Sequence, residues 1–141
     1  MLETERPRIV LVIRSIVQRN EDGILLIRRS EKDSYLPGVW EFPGGKLDKD
    51  QEVRQETGLD IETTQHLMRV EDYMIESGKY GGLPYIVLVG LARVVGGGLV
   101  LSEEHDKSKW IRSEAGLEGL DTKPEVRMAL PLFRNELGWD S

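Results

Sequence analysis

The sequence contains no cysteine. Disulfides, thiolate metal sites and a cysteine nucleophile are therefore excluded. Histidine is scarce as well, with two residues against 25 aspartates and glutamates. A metal would have to be held mostly by oxygen, and an oxygen-rich donor set suits a hard ion such as Mg2+ or Mn2+. Basic residues are outnumbered, giving a net charge of −6 and a pI of about 5.0. That disfavours a broad nucleic-acid-binding face. A small anionic ligand stays open if a cation and a few arginines create a local positive spot. No apolar run approaches the roughly 20 residues of a membrane span. The opening MLETERPRIV is acidic and lacks the apolar core of a signal peptide. The expectation is a cytoplasmic protein with neither membrane nor nucleic acid as partner.

What is present is enough for one compact domain over residues 1–141, with 39% hydrophobic and 31% charged residues. The Val- and Ile-rich Arg8–Gln18 reads as a strand, Asn20–Gly23 as a turn and Ile24–Arg29 as the returning strand. Ser30–Gly38 is a polar loop closed by Pro37 and Gly38. A short helix is predicted from about Asp50 to Thr57, capped by Asp48 or Asp50 and stopped by Gly58. His66–Ile75 and the strongly apolar Leu83–Val95 read as strands separated by a loop at ESGKYGG, with Lys109–Ile111 as a short later strand. A terminal helix fits Pro124 to Leu137, with Val126, Leu130, Phe133 and Leu137 as its apolar stripe and Pro131 as an interruption. Strands with two separated helices imply an α+β fold, a mixed sheet flanked by helices.

The residues that could carry chemistry cluster in WEFPGGKLDKDQEVRQETGLDI. Glu52 and Glu56 are four apart, so on a helix they share a face and can grip a divalent cation. The plain alternative is a solvated acidic face eased by Lys49 and Arg54. A second acidic cluster, Ser102–Asp106, precedes KWI and is equally readable as an exposed turn.

PGGKLD (Pro43–Asp48) followed by QEVRQETGL (Gln51–Leu59) resembles the two ends of the signature box of the Nudix hydrolases. ILLIRRSEKDSYLPGVWEFPGG resembles the approach to that box, and LSEEHDKSKWIRSEAG the later strand and loop before the terminal helix. The resemblance implies an α/β/α sandwich and a metal-dependent hydrolase of nucleoside diphosphate-linked substrates. A nucleoside triphosphate pyrophosphohydrolase comes first, and an ADP-ribose or nucleotide-conjugate pyrophosphatase is the same-class alternative. The cofactor is Mg2+ or Mn2+, and a homodimer is compatible with the family. The implied metal ligands are Glu52, Glu56 and the carbonyl of Gly45. Glu104, ahead of Glu103, is the implied catalytic carboxylate of the later loop, with Glu52 and Glu56 beside it. His105 is a weaker candidate base, read as a solvated loop histidine, and His66 weaker still. Arg28 is the substrate-binding candidate from the strand end, paired with Arg29 on the opposite face. Trp40 could stack a base, as could Tyr35, although packing is the alternative for Trp40.

The box departs from the family in length. From Gly45 to Gly58 is 58 − 45 = 13 positions, where the family has 21, so eight residues are lacking, about two helical turns. Gln51 could stand for either the early glutamate or the arginine of the box and matches neither, and Gln55 stands where the family has a second acid. Two accounts fit: a real deletion that leaves a degraded box, or a sequence joined across a gap beside Gln51. The same departures support a different class of function, a non-catalytic Nudix-like domain that binds a nucleotide or a protein.

Overall fold

The computed structural model describes residues 10–45, 49–63, 68–74 and 84–139. Its elements in chain order are β1 (Val10–Arg19), β2 (Gly23–Arg29), β3 (Trp40–Glu41), β4 (Gly44–Gly45), α1 (Lys49–Thr57), β5 (Leu59–Thr63), β6 (Met68–Met74), β7 (Pro84–Gly97), β8 (His105–Ile111), α2 (Pro124–Ala129) and α3 (Arg134–Leu137). The strands form one mixed sheet in the order β3-β2-β1-β7-β5, with β4 added to β1, β6 to β7 and β8 to β2. β1 and β7 run parallel from Val10 beside Tyr85 to Gln18 beside Arg93. The hairpin β1–β2 is antiparallel, as the sequence implies.

Alternation along the strands splits the apolar residues between two faces. In β2, Ile24 and Leu26 join the core under α2, with Val12, Ile16, Phe42, Val126 and Phe133. Leu25 and Ile27 point the other way, into the core under α1, with Val17, Val53, Leu59 and Ile61. The sheet is therefore covered on both faces, and the fold is the expected α+β sandwich. Each fully buried aliphatic side chain of this kind contributes roughly 1.5–3 kcal/mol.

The two helices end and bend for reasons visible in the chain. α1 stops at Gly58, whose φ is +77°. Its amide returns to the Arg54 carbonyl at 2.8 Å, and a Cβ there would strike the Gly98 carbonyl. The terminal helix is not continuous. α2 gives way to a 3-10 turn at Leu130–Phe133 before α3 resumes, which is the interruption that Pro131 dictates. Two sequence readings were incomplete. Leu59–Thr63 pairs with β7 as a strand, and β8 begins at His105, four residues before the expected start. The loop ESGKYGG, His66 and the Asp48 cap lie outside the described residues. Among the described residues no helix is long and apolar enough to cross a membrane.

Candidate functional site

Strand β1 carries one arginine into its apolar run. Arg14 has the same parity as Val12 and Ile16 and is buried. Its Nη1 donates to the carbonyls of Phe42 (3.3 Å) and Gly44 (2.9 Å). The next residue, Ser15, donates its amide to the Pro43 carbonyl at 2.9 Å. Three successive carbonyls of the FPGG turn are thus held by two residues of β1. Gly44 has φ +146°, and a Cβ on it would run into the Ile13 carbonyl. Only glycine allows the turn to lie this close to β1.

Against this turn stands α1. The Gly44 amide donates to Glu56 Oε1 at 2.8 Å, and the Glu52 carboxylate lies where a Cβ on Gly45 would be. The helix therefore brings Glu52 and Glu56 to the same glycine pair, as their spacing predicted. Glu56 is buried and Glu52 half-buried. Burial pushes the Glu56 carboxyl up to about 7, against the opposing pull of Arg14 and the Gly44 amide. No hydrogen bond or ion pair engages the Glu52 carboxylate among the described residues. Two carboxylates and a backbone carbonyl at one turn, with one acid unpartnered, fit a hard divalent ion. Gly45, Glu52 and Glu56 are residues that could hold it.

Beside them lies a buried charge network centred on Glu41. His105 Nε2 is 2.7 Å from Glu41 Oε2, and Lys123 Nζ is 2.9 Å from Oε1. Arg14 and Arg29 each approach within 3.5 Å. Burial raises the Glu41 carboxyl, but Arg14, the His105 bond and Lys123 together outweigh it and hold the group well below the usual range. Burial and Arg14 lower the Lys123 ammonium, while Glu41 and Glu125 oppose them. Donor atoms of Glu41, Glu56 and His105 lie within 4.8 Å of one another, yet this is poor ground for a cation. Arg14, Arg29 and Lys123 already neutralise Glu41, and a divalent ion would have to enter against their charge.

His105 corrects the reading of a solvated loop histidine. It is buried, because it opens β8 and its ring turns inward to Glu41. Arg14, Glu41 and Lys123 are not among the residues expected from the sequence. An arginine inside an apolar strand and a glutamate between Trp40 and Phe42 are the signals available: isolated charges within hydrophobic runs need a buried partner.

The other candidates are more scattered. Glu104 is exposed, and its backbone carbonyl accepts from Ser30. Its loop is nevertheless pinned to the end of α1, since Ser102 donates its amide to the Glu56 carbonyl at 3.1 Å and Val100 to that of Thr57 at 2.8 Å. Arg28 is taken up by Asp106 through two bonds of 2.8 and 2.9 Å, which hold the Asp106 carboxyl below its ordinary value. Arg29 is the arginine that turns toward Glu41. Trp40 is half-buried against the core under α2, while Tyr35 is exposed, with its ring over Arg29 and Lys123.

Comparison with known proteins agrees with this geometry. Residues 9–129 match the model of the NUDIX domain family. A search of curated protein sequences gave no match. Among solved structures, the fold is similar to that of a MutT protein from Methanosarcina mazei, with a TM-score of 0.72 at 23% identity over 95% of this chain and 98% of that one. A MutT Nudix hydrolase from Burkholderia pseudomallei gives 0.58 at 26% identity over 76% and 84%. An ADP-ribose pyrophosphatase from Streptococcus suis gives 0.56 at 24% over 92% and 95%. On the family match, which spans most of the sequence, and on the glycine turn that faces two helix carboxylates, the chain belongs to the Nudix family of pyrophosphohydrolases.

Proposed function

We propose that the substrate is a nucleoside triphosphate, cleaved to the monophosphate and pyrophosphate with Mg2+ or Mn2+ as the ion. The observation that carries the reading is the pairing of Glu56 with the Gly44 amide while Glu52, without a partner among the described residues, lies against Gly45. The approach LPGVWEFPGG, similar to that of the family's triphosphatase branch, favours a triphosphate over ADP-ribose.

When bound, a divalent ion neutralises phosphate charge and eases deprotonation of the attacking water. The chain's own residues do the rest. Glu52, Glu56 and the Gly45 carbonyl would hold the ion. Glu104, on the loop tied to Glu56, is our choice for the base that takes the proton of the water. That water attacks one phosphorus, and the phosphoanhydride oxygen leaves with the departing phosphate group. Arg28 and Arg29 are both held by acids, Arg28 by Asp106 and Arg29 by Asp33 and Glu41, so either would give up an ion pair to meet a phosphate. Tyr35, the more exposed ring, is better placed than Trp40 to meet a base.

One observation favours a second reading, a binding domain without turnover: Gln55 replaces the second acid of the box and is exposed. A screen of nucleoside triphosphates and ADP-ribose with Mg2+ or Mn2+, scored by product nucleotide and released phosphate, separates the two. The triphosphate reading expects turnover that Glu56→Gln removes without unfolding the protein. A folded wild type inactive on every substrate would support the binding domain, and full activity in Glu56→Gln would remove Glu56 from the site.

A further inference from the structure

We infer that Arg14 is a positioning residue of the metal site, acting through the FPGG backbone rather than on substrate. The inference rests on the ligand assignment proposed above. Arg14 is 6% exposed, too deep to be a surface cation waiting for a phosphate. Its partners define its role. One nitrogen bridges the carbonyls of Phe42 and Gly44, the residues on either side of Pro43. The other faces Glu41, the carboxylate between Trp40 and Phe42. One guanidinium therefore spans both sides of the proline and fixes the turn at three points.

The consequence falls on the next two peptide groups. With its carbonyl held by Arg14, Gly44 presents its amide to Glu56. The β1–β4 pairing of Ile13 with Gly45 sets the following residue, against which Glu52 lies. A rotated Gly44 peptide would lose the Glu56 bond and misplace the Gly45 carbonyl together. Two of the three ligand groups thus depend on one side chain that touches none of the reacting atoms. The planar fork explains the residue type. An arginine donates in two directions at fixed angles, whereas a lysine ammonium is a point donor that cannot bridge two carbonyls and reach Glu41 at once. Glu41 supplies the counter-charge that lets a guanidinium sit in the interior, and His105 and Lys123 hold Glu41 in turn.

The test is a titration of Mn2+ alone into the metal-free protein, followed by electron paramagnetic resonance, for wild type, Arg14→Lys and Arg14→Met. Activity is measured separately. The expected result is that both variants fold, and that each binds Mn2+ at least tenfold more weakly. Because Arg14→Lys keeps the charge, a loss in that variant identifies geometry as the cause. An unchanged Mn2+ constant in folded Arg14→Lys would overturn the inference. If Arg14→Met fails to fold, Arg14→Lys decides alone. If neither folds, Arg14 serves the fold as a whole and the inference is likewise overturned. A wild type that binds Mn2+ yet hydrolyses no nucleotide would remove the substrate proposal and leave Arg14 to be judged on the titration. A wild type that binds no Mn2+ would overturn both.

Discussion

The Glu56 carboxylate accepts a 2.8 Å hydrogen bond from the Gly44 amide while buried against β1. The bond ties the last turn of α1 to the glycine turn, and it sets an acid where burial disfavours its charge. That conflict gives a pH signature. The folded carboxyl titrates at about 7 against an ordinary value of 4.5, so the folded state binds this proton more tightly. The contribution of this group to stability is then greatest below the ordinary value, falls as pH rises from 4.5 to about 7, and levels off above. At about 1.36 kcal/mol per unit the fall reaches roughly 3 kcal/mol. Denaturant melts of metal-free protein between pH 4.5 and 8 will show this decline, and Glu56→Gln will lack it. Saturating Mg2+ will flatten it, because the ion favours the carboxylate. A wild-type profile that rises across this range would contradict the buried position of Glu56.

The two glycines of the turn separate fold from function. At Gly44 an added Cβ meets the backbone of Ile13, with φ at +146°. At Gly45 it meets only the flexible Glu52 carboxylate. Gly44→Ala will therefore destabilise the protein by at least roughly 1–3 kcal/mol and lower activity by displacing the turn from β1. Gly45→Ala will keep most of the stability but push Glu52 aside and weaken metal binding. Thermal melts beside metal titrations check both. Equal losses of stability in the two variants would mean that Glu52 is not free to move.

Glu41 holds together groups from four parts of the chain: Arg14, Arg29, His105 and Lys123. Removing it takes a 2.9 Å carboxylate partner from the buried Lys123 and a 3.5 Å one from the buried Arg14. Glu41→Ala will cost roughly 3–5 kcal/mol, and His105→Ala less, since it removes one hydrogen-bond partner of Glu41 while Arg14 and Lys123 stay beside it. In a double-mutant cycle the pair will show a coupling of at least about 0.5 kcal/mol. Additive effects would show that the 2.7 Å contact contributes nothing to stability.

What the sequence revealed follows from what is local. The β1–β2 hairpin, the Gly58 stop and the Pro131 break depend on neighbouring residues, and each was legible. Leu59–Thr63 was not, because a five-residue strand is decided by β7 beside it rather than by its own composition. At the site, Glu52 and Glu56 were legible as an i, i+4 pair. Arg14, Glu41, His105 and Lys123 were not, because they meet only in three dimensions: His105 and Glu41 are 64 positions apart in sequence. The same rule misassigned His105. A histidine in an acidic stretch looks solvated until β8 is extended to include it.

The shortened box leads to the last prediction. Gln55 is three positions from Glu52, so the two are neighbours along α1, and its side chain is exposed. An amide there can offer oxygen to an ion but no charge. Gln55→Glu will therefore strengthen Mn2+ binding several-fold, with a larger gain at low ionic strength, because an exposed carboxylate acts through a screened field. The added acid will cost a few tenths of a kcal/mol in the metal-free helix through repulsion with the neighbouring glutamates. Turnover distinguishes the two accounts of the box. If metal charge limits the reaction, Gln55→Glu will raise activity at subsaturating Mn2+. If the eight missing residues carry an indispensable ligand, affinity will improve and activity will not. An intact mass above 16.0 kDa for protein from the native source would then show that those residues exist beside Gln51. No gain in affinity from Gln55→Glu would show that position 55 lies outside the field of the bound ion.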